Sequence, residues 1–359
     1  MEEQRKNRLP KQYKRVMIVR FTALSDVAMT VPVVYSVCDA YPDTKFVMVT
    51  RHVASTLFVN KPANLDVEGV NLDEEFTGLT GLYKLYKYLK AEYNPEVVID
   101  LHDDAKTRLF GMFFKMGGAK LKKINTGDSE KRALTRRHNK RMLPLISTRE
   151  RYREVFYRAG FAFNETFSSL FGETKPEPSI FAEISAAKQV GERWIAIAPF
   201  AKHKEKIYPI HLMKKVLDEV VSWQGVKVFL FGRGEAEQKV LDEWAKEYEN
   251  VTSLATKRYG FPAELSLLSY CDVMVAMDSA NMHLASLVCL PVVSVWGATH
   301  PYCGFMGWHQ DPRNAVQINV LCRPCSVLGD KPCRYNDTFC LSGISPTLIV
   351  ARIKDVIER

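Results

Sequence analysis

The chain has 359 residues, a formal net charge of +9, 47% hydrophobic residues and 25% charged residues. That length is too great for one ordinary core and fits two domains, while the composition excludes long disorder and a fibrous architecture. The excess of Lys and Arg favours an anionic partner, whether nucleic acid, anionic lipid or a phosphorylated small molecule, without choosing among them.

After a polar, basic leader (1–14), residues 16–19 read as a buried strand and 26–40 as a helix, the start of a βα repeat. A second strand follows at 45–50, an amphipathic helix at 79–93, and a short apolar strand at 97–101 that ends in His102-Asp103-Asp104. Residues 160–188 carry Pro176 and Pro178 and lack a firm period, which marks a linker. The pattern then restarts, with strands expected at 194–198, 226–231, 251–254, 273–277 and 292–296 and helices between them. Ser345 and Pro346 open a final helix at 344–358 as N-cap and first-turn residue. The expected architecture is α/β, two Rossmann-like doubly wound domains facing a central cleft. Residues 1–175 form the first, 176–343 the second with a Cys-rich tail, and 344–359 a helix returning toward the first. No apolar run reaches the roughly 18 residues needed to span a bilayer, so neither signal peptide nor anchor is expected, and the location expected is cytoplasmic.

Ligands of such sheets settle at the carboxyl ends of the strands, and three strand ends carry polar chemistry. Asp278-Ser279-Ala280-Asn281-Met282-His283 joins an apolar strand to a helix, a place where open backbone NH groups and the positive end of the helix dipole suit a phosphate. A capped turn in any α/β protein looks the same. Residues 199–209 hold Lys202, His203, Lys204 and Lys206, and Lys206 precedes the apolar Ile207-Tyr208-Pro209, which would hold it near the sheet edge. The Gly232-Arg233-Gly234 turn, followed by Glu235 and Glu237, is a weaker nucleotide signal, since such a turn more often serves only to reverse the chain. In the first domain Asp26 either caps its helix or, at the mouth of a cleft, deprotonates an acceptor hydroxyl.

Residues 120–141 are strongly basic, and either form a solvated loop or meet anionic lipid or a phosphorylated acceptor at the inner face of a membrane. Nucleic acid is not expected, because no aromatic interleaving accompanies the charge. Cys38, Cys271, Cys289 and Cys303 lie apart as expected for reduced thiols, whereas Cys322, Cys325, Cys333 and Cys340 form a compact set that fits a structural zinc, two disulfides or free thiols.

The ordered set of segments resembles glycosyltransferase family 9, the group that includes the lipopolysaccharide heptosyltransferases. The likeness runs through Val16-Met-Ile-Val-Arg-Phe-Thr-Ala-Leu-Ser-Asp26 with Thr30-Val-Pro32, Val98-Ile-Asp-Leu-His102, Lys206-Ile-Tyr-Pro209, Phe231-Gly232, Asp278 to Ala285, and Pro291 to Pro301. It implies a GT-B fold and an inverting, metal-independent transfer. The donor is a nucleotide-sugar, ADP-heptose being one candidate, and the acceptor a lipid-linked or polysaccharide glycan. By residue-by-residue matching, Asp26 falls on the general-base position, Lys206 on the phosphate-binding lysine, Asp278, Ser279, Ala280, Met282 and His283 in the donor motif with Gly232 nearby, and Glu235 or Glu237 near the ribose position. No cofactor is required by this chemistry. Ser25 and Ala280 stand where the family usually has glycine, and a left-handed backbone at either place would cost about 1 to 2 kcal/mol. The competing readings are a nucleotide-sugar epimerase on the same scaffold and a non-catalytic glycan- or lipid-binding protein.

Overall fold

A computed structural model describes residues 13–359; most of the basic leader, residues 1–12, lies outside the described residues. The described residues divide into two compact units, one of residues 13–126 and 148–170, the other of 127–147 and 171–359.

The first unit runs β1 (Arg15–Val19), α1 (Leu24–Ala28), α2 (Val31–Ala40), β2 (Lys45–Arg51), α3 (His52–Ser55), β3 (Leu65–Val70), α4 (Gly78–Tyr93), β4 (Val97–Asp100), α5 (Ala105–Met116) and β5 (Lys120–Lys123). The helix α6 (Asp128–Thr135) belongs to the second unit, and α7 (Thr148–Ala159) returns to the first. All strand pairs are parallel, in the order β3-β2-β1-β4-β5, so the order reverses between β1 and β4. Period-two residues Met17, Val19, Val47, Val49 and Val98 face one side, where α4 lays Leu82, Leu85 and Leu89 and α5 lays Phe110 and Phe114. The helix expected at 26–40 is two helices. Pro32 cannot donate to a preceding turn and so begins α2 rather than continuing α1, and Thr30 Oγ1 donates to Val27 O at 2.7 Å across the break.

The second unit runs β6 (Arg193–Ala198), α8 (Ile210–Val221), β7 (Val226–Leu230), α9 (Glu235–Lys246), β8 (Val251–Ser253), α10 (Phe261–Tyr270), β9 (Val273–Met277), α11 (Ala280–Leu287), β10 (Val292–Val295), β11 (Ala315–Val316), α12 (Phe339–Ser342) and α13 (Pro346–Ile357). Its sheet order is β11-β10-β9-β6-β7-β8, again parallel, with the reversal between β6 and β9. Ile195, Ile197, Val273, Val275, Val293 and Val295 pack against Met213, Val216, Leu217 and Val220 of α8 and Ile349, Val350 and Ile353 of α13. The final helix therefore completes the core of the second unit, where the expectation returned it toward the first. Its apolar residues recur at i and i+4, which builds a buried stripe. In each sheet the strand ends that flank the reversal form the crevice in which doubly wound proteins bind their ligands. Asp26 follows β1, while Lys206 and Asp278 follow β6 and β9.

Candidate active site

In the first unit, the turn after β1 is built around an ion pair. Arg20 Nη2 lies 2.6 Å from Asp26 Oδ2, and both side chains are mostly buried. The same carboxylate oxygen accepts the Ala23 N–H at 3.0 Å, closing the first turn of α1 from inside. Arg20 also donates to Leu101 O at 2.6 Å, which ties the turn to the end of β4. Burial pulls the guanidinium down, but Tyr152 and Asp26 outweigh it and hold Arg20 above its ordinary range. Tyr152 Oη donates to the Asp26 backbone carbonyl at 3.2 Å. One carboxylate oxygen is thus fixed by two donors, while among the described residues no hydrogen bond or ion pair engages Oδ1. That is a geometry suited to a base: one oxygen for position, the other for the proton.

The β4 end supplies His102, whose Nε2 lies 3.2 Å from Thr22 Oγ1 and 3.6 Å from Asp104 Oδ2. Burial and then the charge of Arg20 depress the imidazole, so it stays neutral at physiological pH. Asp100 anchors this turn by accepting the His102 and Asp103 N–H groups at 2.8 and 3.0 Å. Neither Arg20 nor His102 stands out as a site residue in the sequence, where Arg20 reads as a charge fencing a strand.

In the second unit, Lys206 Nζ sits 3.1 Å from Asp278 Oδ2. Asp278 N donates to Val295 O at 3.3 Å, and Ser279 takes an extended backbone as the N-cap of α11. The Ser279 hydroxyl makes no capping bond, and its Oγ and Thr299 Oγ1 are buried without a hydrogen-bond partner among the described residues. A cation, two unpartnered hydroxyls and an uncapped helix N-terminus therefore gather in one crevice, which is a donor set for an anion. Met282 and His283 are both buried within α11. Thr299 falls within the segment Pro291 to Pro301, and its only signal there is a hydroxyl after a buried strand.

The Gly232 turn is occupied internally. Glu237 accepts the Arg233 N–H at 2.8 Å, and burial raises its carboxyl. Arg233 in turn donates to both oxygens of Glu264, at 2.9 and 3.1 Å, and lies over the Phe261 ring. Glu235 is exposed at the start of α9. Of the two glutamates, Glu235 is thus the one whose carboxylate the turn does not use. The two replaced glycines cost no left-handed strain: Ser25 lies within α1, Ala280 is the first residue of α11, and neither has positive φ.

The Cys-rich loop packs beside Lys206. Cys333 N donates to Glu205 Oε1 at 3.3 Å, Cys325 N to Ala298 O at 3.0 Å, and an added Cβ on Gly329 would fall 2.5 Å from Lys206 Cδ. Arg323 is buried in the loop and donates to the carbonyls of Gly297, Ile318 and Thr299 and to Gln317. Together with burial it depresses His300 to about 4. All four thiols of the expected zinc set are free, and among the described residues no group of three or more His, Cys, Asp or Glu side chains is gathered as a ligand set. The Sγ atoms of Cys325 and Cys333 turn instead toward Ala298 O and Asp337 Oδ1, at 3.6 and 3.8 Å. The four thiols nonetheless lie near one another: burial first, and then the charges of Cys325, Cys322 and Cys333, push the Cys340 thiol upward.

Residues 82–334 match the sequence model of glycosyltransferase family 9 (heptosyltransferase), a span that takes in Lys206 and Asp278 to His283 but begins after Asp26. Lipooligosaccharide heptosyltransferase 2 of Campylobacter jejuni is 22% identical over 138 residues, which is 38% of this chain and 42% of the relative, so the chain spans less than half of that protein. Lipopolysaccharide heptosyltransferase 3 of Escherichia coli K12 is 24% identical over 301 residues, 82% of this chain and 84% of the relative. Among solved structures, a family 9 glycosyl transferase from Veillonella parvula superposes with a TM-score of 0.75 at 14% identity, covering 98% of this chain and 99% of that one. Escherichia coli heptosyltransferase WaaC, solved with ADP, gives 0.64 at 16% identity over 95% and 99% of the two chains. The two parallel sheets and these likenesses give a GT-B fold, and the chain belongs to glycosyltransferase family 9.

Proposed function

We propose that this protein is an inverting glycosyltransferase that moves a sugar, heptose being the leading candidate, from a nucleotide-sugar to a lipopolysaccharide-type glycan. The observation that carries the reading is the second-unit crevice, where Lys206, Asp278, the unpartnered Ser279 and Thr299 hydroxyls and the start of α11 converge. A nucleoside diphosphate leaving a sugar gains negative charge on its terminal phosphate. Lys206, released from Asp278, meets that charge together with the hydroxyls and the NH groups of the first helical turn. Preformed donors of this kind stabilise the transition state more than the ground state, because the charge they address grows during the reaction.

Asp26 is assigned the base. Its Oδ1 takes the proton of the acceptor hydroxyl while Arg20 and the Ala23 N–H hold Oδ2 in place. The acceptor oxygen attacks the anomeric carbon from the face opposite the diphosphate, so a single displacement inverts that centre. The bond to the diphosphate breaks as the new glycosidic bond forms, and no step calls on a metal. ADP is the preferred nucleotide to test, since WaaC was solved with it.

The test is thermal stabilisation by a panel of nucleoside diphosphates and nucleotide-sugars. A ligand at 100 times its Kd should stabilise by about 2.7 kcal/mol. Selective stabilisation by one nucleotide, lost in Lys206→Ala, supports the reading; no stabilisation by any of them overturns it.

A further inference from the structure

We infer that residues 131–146 form a docking surface for an anionic lipid bilayer. This part of the chain interrupts the first unit in sequence yet packs with the second. From Lys131 to Ser147 it carries Lys131, Arg132, Arg136, Arg137, Lys140 and Arg141 and no carboxylate. Beyond α6 it has no regular structure, but it is firmly held at two places. Lys140 Nζ donates to Cys322 O at 2.6 Å and Pro324 O at 3.0 Å, and Leu145 N donates to Tyr302 O at 2.9 Å. Close behind the second tether, Gly304 leaves room for the backbone: a Cβ there would lie 2.9 Å from Ile146 O.

Between the tethers Arg141, Met142, Leu143 and Pro144 project into solvent. Leu143 is 51% exposed and Ile146 57%, and Leu321, beside the carbonyl that Lys140 grips, is 101% exposed. A loop meant only for water has no reason to pin its ends and present large apolar side chains among arginines. A bilayer does give one, since cations meet lipid phosphates at the surface while Leu and Ile enter the acyl boundary. Nucleic acid fits less well, because residues 131–147 contain no Phe, Tyr or Trp on which a base would stack. The inference rests on this surface alone and stands whether or not the transfer chemistry is as proposed.

The experiment is co-sedimentation of the full chain with vesicles of phosphatidylcholine alone or mixed with phosphatidylglycerol. Sedimentation only with the mixed vesicles, reduced by high salt, is expected. Replacing Arg136, Arg137 and Arg141 with Ala should weaken partition roughly 100-fold, at about fivefold per cation, and Leu143→Ser with Ile146→Ser should weaken it by about tenfold or more. Unchanged melting and unchanged nucleotide stabilisation show that each variant is folded. The inference is overturned if the protein ignores anionic vesicles, if the arginine variant binds as well as the parent, or if the apolar variant does, since the last leaves a phosphate contact without a bilayer. Sedimentation confined to vesicles carrying a phosphorylated glycolipid also overturns it, assigning the surface to the acceptor instead.

Discussion

Lys206 Nζ lies 3.1 Å from Asp278 Oδ2, and the two side chains are only 14% and 6% exposed. Asp278 directly follows β9, and Lys206 comes from the short turn at 204–206 in the loop after β6, the neighbouring strand. Any diphosphate that recruits Lys206 must compete with Asp278 for it.

Removing one partner should expose that coupling. Lys206→Ala leaves the Asp278 carboxylate buried and unpaired, and such losses cost about 3 to 5 kcal/mol. Denaturant unfolding should show that loss in Lys206→Ala and a smaller one in Asp278→Asn. A double-mutant cycle should return a coupling of about 1 to 3 kcal/mol. Strict additivity of the two substitutions would mean the pair is not formed in solution.

Asp26→Asn separates position from proton transfer. The amide keeps the size of the carboxylate, and its oxygen still accepts from Arg20 and the Ala23 N–H, so the turn should keep its shape, at some cost in stability because the buried Arg20 charge loses its counter-ion. Turnover should fall by about 10²- to 10⁴-fold, the usual contribution of a general base, with donor affinity unchanged. A variant that loses donor binding and turnover in parallel would show that Asp26 acts through the fold rather than on the acceptor.

Much of this was legible because buried parallel strands announce themselves as apolar runs. Residues 16–19, 194–198 and 273–277 are of that kind, and the loop after each carries the residues the sequence marks as candidates for the site. β3 and β5 were not legible. Leu65–Val70 is buried only at its two ends, and Lys120–Lys123 is three-quarters lysine, so neither carries a strand signature; both lie at sheet edges, where pairing rather than burial defines them. The partner of Asp26 was hidden for a different reason. Arg20 looks like a charge closing a strand, and only the turn back through Ala23 brings it to the carboxylate. The exchange of residues 127–147 between units has no local signal, because the tethers run to residues more than 150 positions away. Spacing in the Cys-rich loop likewise said nothing about where the four sulfurs point.

Glu165 gives the first unit a titration of its own. Burial lifts its carboxyl to about 7 against the pull of Arg149, 3.4 Å away, and Oε1 has no hydrogen-bond partner among the described residues. The folded state therefore holds the proton more tightly than the unfolded chain, whose glutamates titrate near 4.3. The stabilisation is fully present below about pH 4.3 and is lost as pH rises through about 7, by about 4 kcal/mol at most. Unfolding measured across that window should show a decline in the parent that Glu165→Gln removes. Parallel pH profiles would mean the carboxyl is already ionised throughout.

Gly329 packs the Cys-rich loop against the stem of Lys206. It has φ of +74°, and a Cβ there would lie 2.5 Å from Lys206 Cδ and closer still to Cγ, both stem atoms of a side chain that is largely buried. Gly329→Ala therefore does two things: it strains the backbone by about 1 kcal/mol, and it drives the lysine stem away from its place. Gly172→Ala separates the two effects, since Gly172 has φ of +62° with nothing within 4 Å of the added methyl. Both variants should lose similar small amounts of stability from the backbone. Only Gly329→Ala should displace the ammonium, and nucleotide binding in that variant should weaken by about tenfold, the equivalent of roughly 1.4 kcal/mol. Calorimetric titration with ADP decides it. Equal affinity in the two variants would show that the loop merely lies beside Lys206, whereas a loss confined to Gly329→Ala would make the loop part of the donor site, setting the lysine's position from behind.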